Sequence, residues 1–138
     1  MRPFCWPARV YWEDTDGGGV VYYANYLRFL ERARTEWLRA LGFSQERLKE
    51  ELGVVFTVAG MEIDFLRPAR LDDALEATVE VQGHRRASLN FVQTLRRAGD
   101  VNTVLTRARV RAGCVSMASF RPCALPGEIF EAIESGRP

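Results

Sequence analysis

The sequence predicts one α+β domain over residues 1–138, in which an antiparallel sheet packs against one long helix. Two patterns predict this fold class. An apolar stripe with helical spacing lies near the N-terminus, and segments of alternating polarity fill the second half of the chain. A length of 138 residues with 47% hydrophobic content is sufficient for a single core.

The long helix is predicted over residues 22–41. Its apolar side chains recur at spacings of three and four, with two more that widen the stripe: Tyr26, Leu30, Ala33, Trp37 and Leu41, then Leu27 and Leu38. The opposite side carries Arg28, Arg32, Thr35 and Arg39. Such an amphipathic helix packs on a sheet. Gly42 suits the end of this helix, and Ser44 can cap a short helix over residues 45–52.

The strands are predicted from β-branched and aromatic residues and from alternating polarity. They cover residues 8–13, 54–65 with a bend at Gly60, 75–82, 87–96 and 104–112. A turn or bulge is expected at residues 83–86, a hairpin at the Gly99–Asp100 pair, and a last short helix at residues 127–133. In the fifth strand, Arg107, Arg109 and Arg111 form a row that we interpret as a solvated face.

Composition excludes several classes of function. The net charge of +1 gives no basic field for nucleic acid or a membrane surface, and no apolar run approaches the roughly 18 residues of a membrane span. Cys5, Cys114 and Cys123 show no metal-ligand spacing, and His84 is the only histidine, so no metal site is expected. An odd number of cysteines without an apolar leader predicts reduced thiols in the cytoplasm.

The stretch from Val10 to Tyr26 holds the candidate chemistry. Asp14 and Asp16 precede three glycines, residues 17–19, and the chain then enters the long helix. Glycines allow a tight turn, and unpaired N–H groups at a helix start attract negative charge. A carboxylate beside polarising N–H groups suits attack on an acyl carbon. An aspartate before glycines is also typical of a plain turn, in which it accepts backbone N–H groups.

This stretch also carries a family resemblance. Residues 14–26, continued by residues 29–34, resemble the signature of hot-dog-fold acyl-CoA thioesterases, specifically the 4-hydroxybenzoyl-CoA thioesterase-like family with its Tol–Pal-associated branch. Residues 65–73, 86–89 and 124–126 also fit. The resemblance implies the hot-dog fold, in which a curled antiparallel sheet wraps around one long central helix. It also implies hydrolysis of a short-chain or aromatic acyl-CoA to free acid and coenzyme A. It further implies a homo-oligomer, a dimer at least and a tetramer in many relatives.

The resemblance assigns roles within the glycine loop. Asp16 corresponds to the nucleophile or general base, and the backbone N–H of Tyr23 to the group that polarises the thioester oxygen. Asp14 is expected to be a structural cap or turn residue. The Tol–Pal-associated branch has histidine where this chain has Tyr23, which leaves the acyl group undetermined. Tyr22, Tyr23 and residues 56–58 are the expected lining of the acyl pocket.

Coenzyme A is part of the substrate, and no other cofactor is expected. The resemblance places basic residues near its nucleotide, and the matching positions here are Arg85, Arg86, Ser88 and Arg121. Arginine suits phosphate recognition. His84 is expected to be an exposed turn residue with no assigned role.

Two other interpretations remain. The chain could be a non-catalytic module of the same fold that binds acyl-CoA or acyl-carrier protein. Residues 14–17 also read Asp-x-Asp-Gly, as in haloacid-dehalogenase-type phosphatases, but that motif follows an apolar parallel strand in an alternating β/α chain, and this sequence has neither. The glycine run lacks the Lys-Ser/Thr of a P-loop.

Overall fold

The computed structural model describes residues 3–136 as one antiparallel sheet with one long helix, which confirms the predicted α+β class. The strands are β1 Phe4–Arg9, β2 Val54–Phe65, β3 Ala74–Arg85, β4 Ser88–Arg97 and β5 Val104–Ser116. The helices are α1 Tyr26–Ala40, the short α2 Gln45–Arg47 that continues as a π-helical turn over Leu48–Leu52, and α3 Gly127–Glu134. None of these helices is long and apolar enough to cross a membrane.

The sheet has the strand order β1-β3-β4-β5-β2. Two hairpins join β3 to β4 and β4 to β5, whereas β1 and β2 form the two edges. The predicted bend at Gly60 is confirmed as a bulge between Val58 and Gly60, and β2 continues beyond it as one strand. Strand β1 pairs with β3, and β2 pairs with β5. The loop that follows β1 and the end of β2 are therefore both held by the same sheet.

Helix α1 lies on the sheet through the stripe that the sequence predicts, with one exception. Its buried residues are Tyr26, Phe29, Leu30, Ala33, Trp37 and Leu38. Leu27 was assigned to the buried stripe, and this is wrong, because it is 40% exposed and lines an open cavity between α1 and β2. Phe29 is buried in the core instead. The Trp37 ring meets Phe91 of β4 edge to face, with centroids 5.1 Å apart.

The prediction of a strand over residues 8–13 is also wrong. Strand β1 ends at Arg9, and Trp12–Asp14 forms a 3₁₀ turn. The cause is local, because the Asp14 carboxylate accepts the Tyr11 N–H at 2.8 Å and folds the chain back. A second 3₁₀ turn, Tyr23–Asn25, occupies the predicted first turn of the long helix, which therefore begins at Tyr26.

Candidate active site

The glycine loop folds as a small antiparallel ribbon. The Tyr22 N–H donates to the Asp14 carbonyl at 2.9 Å, and the Asp16 N–H donates to the Val20 carbonyl at 2.9 Å. Gly19, at the tip, has a φ of +78°, a conformation that glycine adopts without strain. The ribbon is fixed to the body of the protein because the Val21 N–H donates to the Ala69 carbonyl at 2.8 Å.

Asp14 is the structural member of the aspartate pair. It is buried, with 7% of its surface exposed. Besides the bond from Tyr11, its carbonyl oxygen accepts the Asn25 side-chain amide at 3.0 Å. Asp14 thus connects the turn after β1 with the start of α1, as expected for a cap or turn residue.

Asp16 differs from Asp14 in being exposed at the ribbon. Its Oδ1 accepts the Gly18 N–H at 2.8 Å, which is the contact of a turn aspartate. Within residues 3–136, no group donates a hydrogen bond to its Oδ2. The turn therefore holds one oxygen and leaves the other free to face a ligand. A Cβ on Gly18 would lie 3.3 Å from Oδ1, so glycine gives the carboxylate its room.

The second arm of the ribbon leads directly into the turn that begins at Tyr23. In the described part of the chain, the N–H groups of Tyr23 and Ala24 have no acceptor, whereas the next N–H, of Asn25, donates to the Tyr22 carbonyl at 2.8 Å. Free N–H groups at the start of a helical turn are suited to an oxygen that gains negative charge. The Tyr23 ring is 62% exposed and meets Phe65 edge to face.

Tyr26 was treated in the sequence only as a core residue, although it also has a polar function in this region. Its hydroxyl accepts the buried Ala69 N–H at 3.0 Å. Its ring packs against Phe65, with centroids 5.5 Å apart. Tyr26 thereby joins the helix start to the segment after β2. No sequence pattern indicates this bond, because it depends on non-local packing.

A cavity of about 560 Å³ lies between α1 and β2. Its walls are mostly apolar and include Leu27, Trp37, Leu38, Phe56, Val58, Met61, Leu89 and Phe91, with Glu31, Arg34, Thr35 and Gln45 as polar members. Residues 56–58 therefore line it as expected, but Tyr22 and Tyr23 do not.

The polar side of the cavity is organised by Arg34. Its Nη1 donates to the side-chain oxygen of the buried Gln93 at 2.9 Å. Burial lowers the pKa of the Arg34 guanidinium, and the Glu31 carboxylate acts in the opposite direction. No sequence pattern indicates these polar groups, because spacing alone does not show which helical positions face an opening.

The four predicted coenzyme A residues come together at one end of the sheet. Arg85 ends β3, Arg86 lies in the following turn, and Ser88 begins β4. The carbonyl of Ala87, in the same turn as Arg86, accepts the Cys114 N–H at 2.8 Å, and the Ser116 N–H donates to the Arg121 carbonyl at 2.9 Å. Both turns are therefore attached to the same end of β5. The three arginines are exposed.

The Asp16 ribbon lies at the other end of the sheet. Val20 forms a bridge with Arg70, which lies in the segment after β2. At the start of that segment, the Leu66 N–H donates to the Leu105 carbonyl at 2.8 Å. Gly113 of β5 pairs with Ser88. Strand β5 covers about 25 Å between Leu105 and Gly113. One chain therefore does not bring Asp16 and the arginines together.

Comparison with known proteins gives a consistent result. The model of the thioesterase-like superfamily matches residues 10–133. This chain belongs to that family. The acyl-CoA thioesterase YbgC of Haemophilus influenzae is 46% identical, with 94% of this chain and 93% of the relative covered. The acyl-CoA thioester hydrolase YbgC of Escherichia coli is 49% identical over 91% of this chain and 92% of the relative.

A solved structure supports the fold of this thioesterase-family chain. The crystal structure of a probable thioesterase from Bartonella henselae superposes with a TM-score of 0.84 at 34% identity, and the match covers 91% of this chain and all of the other. The resemblance drawn from residues 14–34 is confirmed, and with it the hot-dog fold, in which the sheet curls around α1.

The prediction that His84 is an exposed turn residue is wrong. His84 is part of β3 and only partly exposed, because α3 packs over it. Its Nε2 lies 2.9 Å from the Glu134 carboxylate, and its ring meets Phe130 at a centroid distance of 4.3 Å. His84 thus helps to dock α3. Across residues 3–136, no cluster of three metal-ligating side chains occurs.

Proposed function

We propose that this chain hydrolyses acyl-CoA thioesters to a free acid and coenzyme A, with Asp16 as nucleophile or general base. The observation that carries the proposal is that one ribbon holds Asp16, whose Oδ2 is open, and leads directly into the turn whose first N–H, that of Tyr23, is free. The names of the YbgC relatives, which are 46% and 49% identical over nearly the whole chain, support an acyl-CoA substrate.

Two routes are consistent with this arrangement. In the first, Asp16 attacks the thioester carbon, coenzyme A leaves as the thiolate, and water then hydrolyses the mixed anhydride. In the second, Asp16 removes a proton from a water molecule that attacks the same carbon, and the C–S bond breaks as coenzyme A leaves as the thiolate. In both, the Tyr23 N–H donates to the carbonyl oxygen as it becomes negative. Neither route requires a metal or another cofactor, so activity should survive a chelator.

The acyl group is proposed to bind in the cavity between α1 and β2. Apolar walls with few polar groups are typical of small-molecule sites, and about 560 Å³ lies within their usual range. This volume suits a short-chain or aromatic acyl group. Arg85, Arg86, Ser88 and Arg121 are proposed to bind the phosphates of coenzyme A.

Two copies of the chain are proposed to build each site. Strand β1 is a poor pairing edge, because it is short and Pro7 lacks an N–H. The 12-residue β2 is longer and contains no proline. Pairing of two β2 edges around a two-fold axis gives a dimer, and we propose that two dimers form a tetramer. The partner's arginines could then lie near the ribbon that holds Asp16.

The cellular location of the protein and the carrier of the acyl group are also proposed here. The sulfur atoms of Cys114 and Cys123 lie 3.5 Å apart as free thiols, which favours the reducing cytoplasm. Acyl-carrier protein could present the acyl group in place of coenzyme A, because both carry it as a thioester. The competing function is a non-catalytic module that binds either carrier.

Thiol release separates these functions. The purified protein is mixed with short-chain, long-chain and aromatic acyl-CoA substrates, and free coenzyme A is followed with a thiol reagent. We expect turnover of at least one substrate, and loss of turnover in Asp16→Asn. Asp100→Asn is the control, because Asp100 is also an exposed turn aspartate. Binding of an acyl-CoA without thiol release would show a non-catalytic module instead.

A further inference from the structure

Phe120 combines an unusual backbone with an exposed aromatic ring. Its φ is +56°, and 70% of its surface is exposed. A bulky side chain rarely occupies this left-handed region, because the conformation costs free energy. Asp72 is the other non-glycine residue with positive φ among residues 3–136, and short polar side chains tolerate it. The conformation of Phe120 therefore needs a separate explanation.

Folding contacts of the ring do not provide one. Phe120 lies outside the hydrophobic core of the described residues. Its backbone, in contrast, is firmly held, because its N–H donates to the Ser116 carbonyl at 2.7 Å. The N–H of the next residue, Arg121, donates to the Ser119 hydroxyl at 3.2 Å. The turn thus fixes the backbone from which an exposed aromatic ring projects.

The position of Phe120 indicates what could bind there. It directly precedes Arg121, and its turn closes on the same end of β5 as the turn of Arg86. Exposed guanidinium groups bind phosphate, and an exposed aromatic ring stacks on a nucleic base. A ligand that carries both groups matches this end of the sheet better than either group alone.

We propose that the Phe120 ring stacks on the purine base of the coenzyme A nucleotide, while Arg86 and Arg121 bind its phosphates. This inference rests on the proposed function. The fixed backbone aids binding, because only the two side-chain torsions of the ring lose freedom when the base arrives. Stacking of this kind changes affinity by roughly five- to hundredfold per base.

The experiment compares two substrates with the same acyl group. Acyl-CoA contains the nucleotide, and the matching acyl-pantetheine has the thioester without it. We expect Phe120→Ala to raise KM for acyl-CoA by about fivefold or more without changing kcat, and to leave acyl-pantetheine kinetics unchanged. Phe120→Trp should keep the KM of the unaltered protein. Val101→Ala, which truncates an exposed apolar residue in the β4–β5 turn, is the control.

Phe120→Gly separates the ring from its backbone conformation. Glycine removes the strain as well as the ring, whereas alanine removes the ring and keeps most of the strain. If stacking is responsible, both variants should show the same rise in KM. An unchanged KM for acyl-CoA in Phe120→Ala would overturn the proposal, as would an equal rise for both substrates. A changed oligomeric mass would instead identify the ring as an interface between copies.

Calorimetry decides the inference even if no acyl-CoA is hydrolysed. Coenzyme A, ADP and pantetheine are titrated into the unaltered protein and into Phe120→Ala. Weaker binding of coenzyme A and ADP by the variant would support the stacking surface, although absent turnover would refute the proposed function. Equal affinities in the two proteins, or no binding of coenzyme A by the unaltered protein, would refute the stacking surface itself.

Discussion

Asp14 and Asp16 are two residues apart, but their surroundings give them different roles. Asp14→Ala leaves the Tyr11 N–H without its acceptor and opens a buried position. We expect it to lower the free energy of unfolding by about 1–2 kcal/mol, with kcat changed only a few-fold. Asp16→Asn should leave stability nearly unchanged and lower kcat by about a hundredfold or more. Urea unfolding and thiol release measure the two effects.

Equal losses of kcat in Asp14→Ala and Asp16→Asn would contradict the assignment of a structural role to Asp14 and a catalytic role to Asp16. The sequence distinguished the pair only through the family resemblance, because an aspartate before glycine is equally consistent with a turn. The structure adds the physical difference, which is burial for Asp14 and exposure for Asp16.

Gly18 offers a finer test of the Asp16 carboxylate. A Cβ at Gly18 would lie 3.3 Å from Asp16 Oδ1, which is tighter than an ordinary contact, and would displace the carboxylate by tenths of an ångström. We expect Gly18→Ala to lower kcat roughly three- to tenfold, because misplaced reacting groups lose rate. Gly17→Ala is the matched control, since its Cβ would meet nothing within 4 Å. Equal kcat values in the two variants would argue against a catalytic Asp16.

At the scale of elements, a buried glutamine connects α1 to the sheet. Gln93 is fully buried; its amide donates to the Leu30 carbonyl at 3.1 Å and the Thr78 carbonyl at 3.2 Å, and its oxygen accepts from Arg34. Gln93→Leu should lower the free energy of unfolding by about 1–3 kcal/mol, because it leaves the Arg34 guanidinium without that partner. The exposed Gln82→Leu should change it by about 0.5 kcal/mol or less. Chemical denaturation compares them.

The connection between β5 and the segment before α3 can be tested through its thiols. Burial, with a smaller effect from the adjacent Cys123, raises the pKa of Cys114 to about 12. A raised pKa means fewer thiolates at a given pH, and the thiolate is the reactive form. At pH 8, iodoacetamide should therefore modify the half-buried Cys5 and Cys123 well before Cys114, as mass spectrometry of peptides can show. Early modification of Cys114 in the folded protein would mean that this segment opens readily.

The sequence predicted most elements because their patterns are local. The bend at Gly60 and the alternation along β5 follow from residue types within the strand. The errors occur where a single contact overrides a pattern. The Asp14 carboxylate turns the chain after β1 into a 3₁₀ turn, and helix α3 covers His84. Periodicity shows neither contact. The bond from Tyr11 to Asp14 is local but depends on one side chain rather than on a repeat, and the contact between His84 and Glu134 joins residues fifty positions apart.

At the scale of the molecule, the sequence identified the candidate site residues but not their arrangement. Strand order places the Asp16 ribbon and the arginines at opposite ends of β5. This order results from non-local pairing of β1 with β3 and of β2 with β5, which alternation within a strand does not encode. The separation is the physical reason for proposing that coenzyme A bridges two copies of the chain.

Complementation tests this bridging. One chain carries Asp16→Asn, and the other carries alanine at Arg85, Arg86 and Arg121. If each site combines Asp16 of one chain with the arginines of another, a mixed dimer contains one site with both defects and one with neither. Random reassociation of equal amounts should then restore about a quarter of the unaltered activity, since half the dimers are mixed and half their sites are intact. Two different affinity tags isolate the mixed dimers and show that they formed. If purified mixed dimers are no more active than the two parents, or if a verified monomer is fully active, each site is built within one chain.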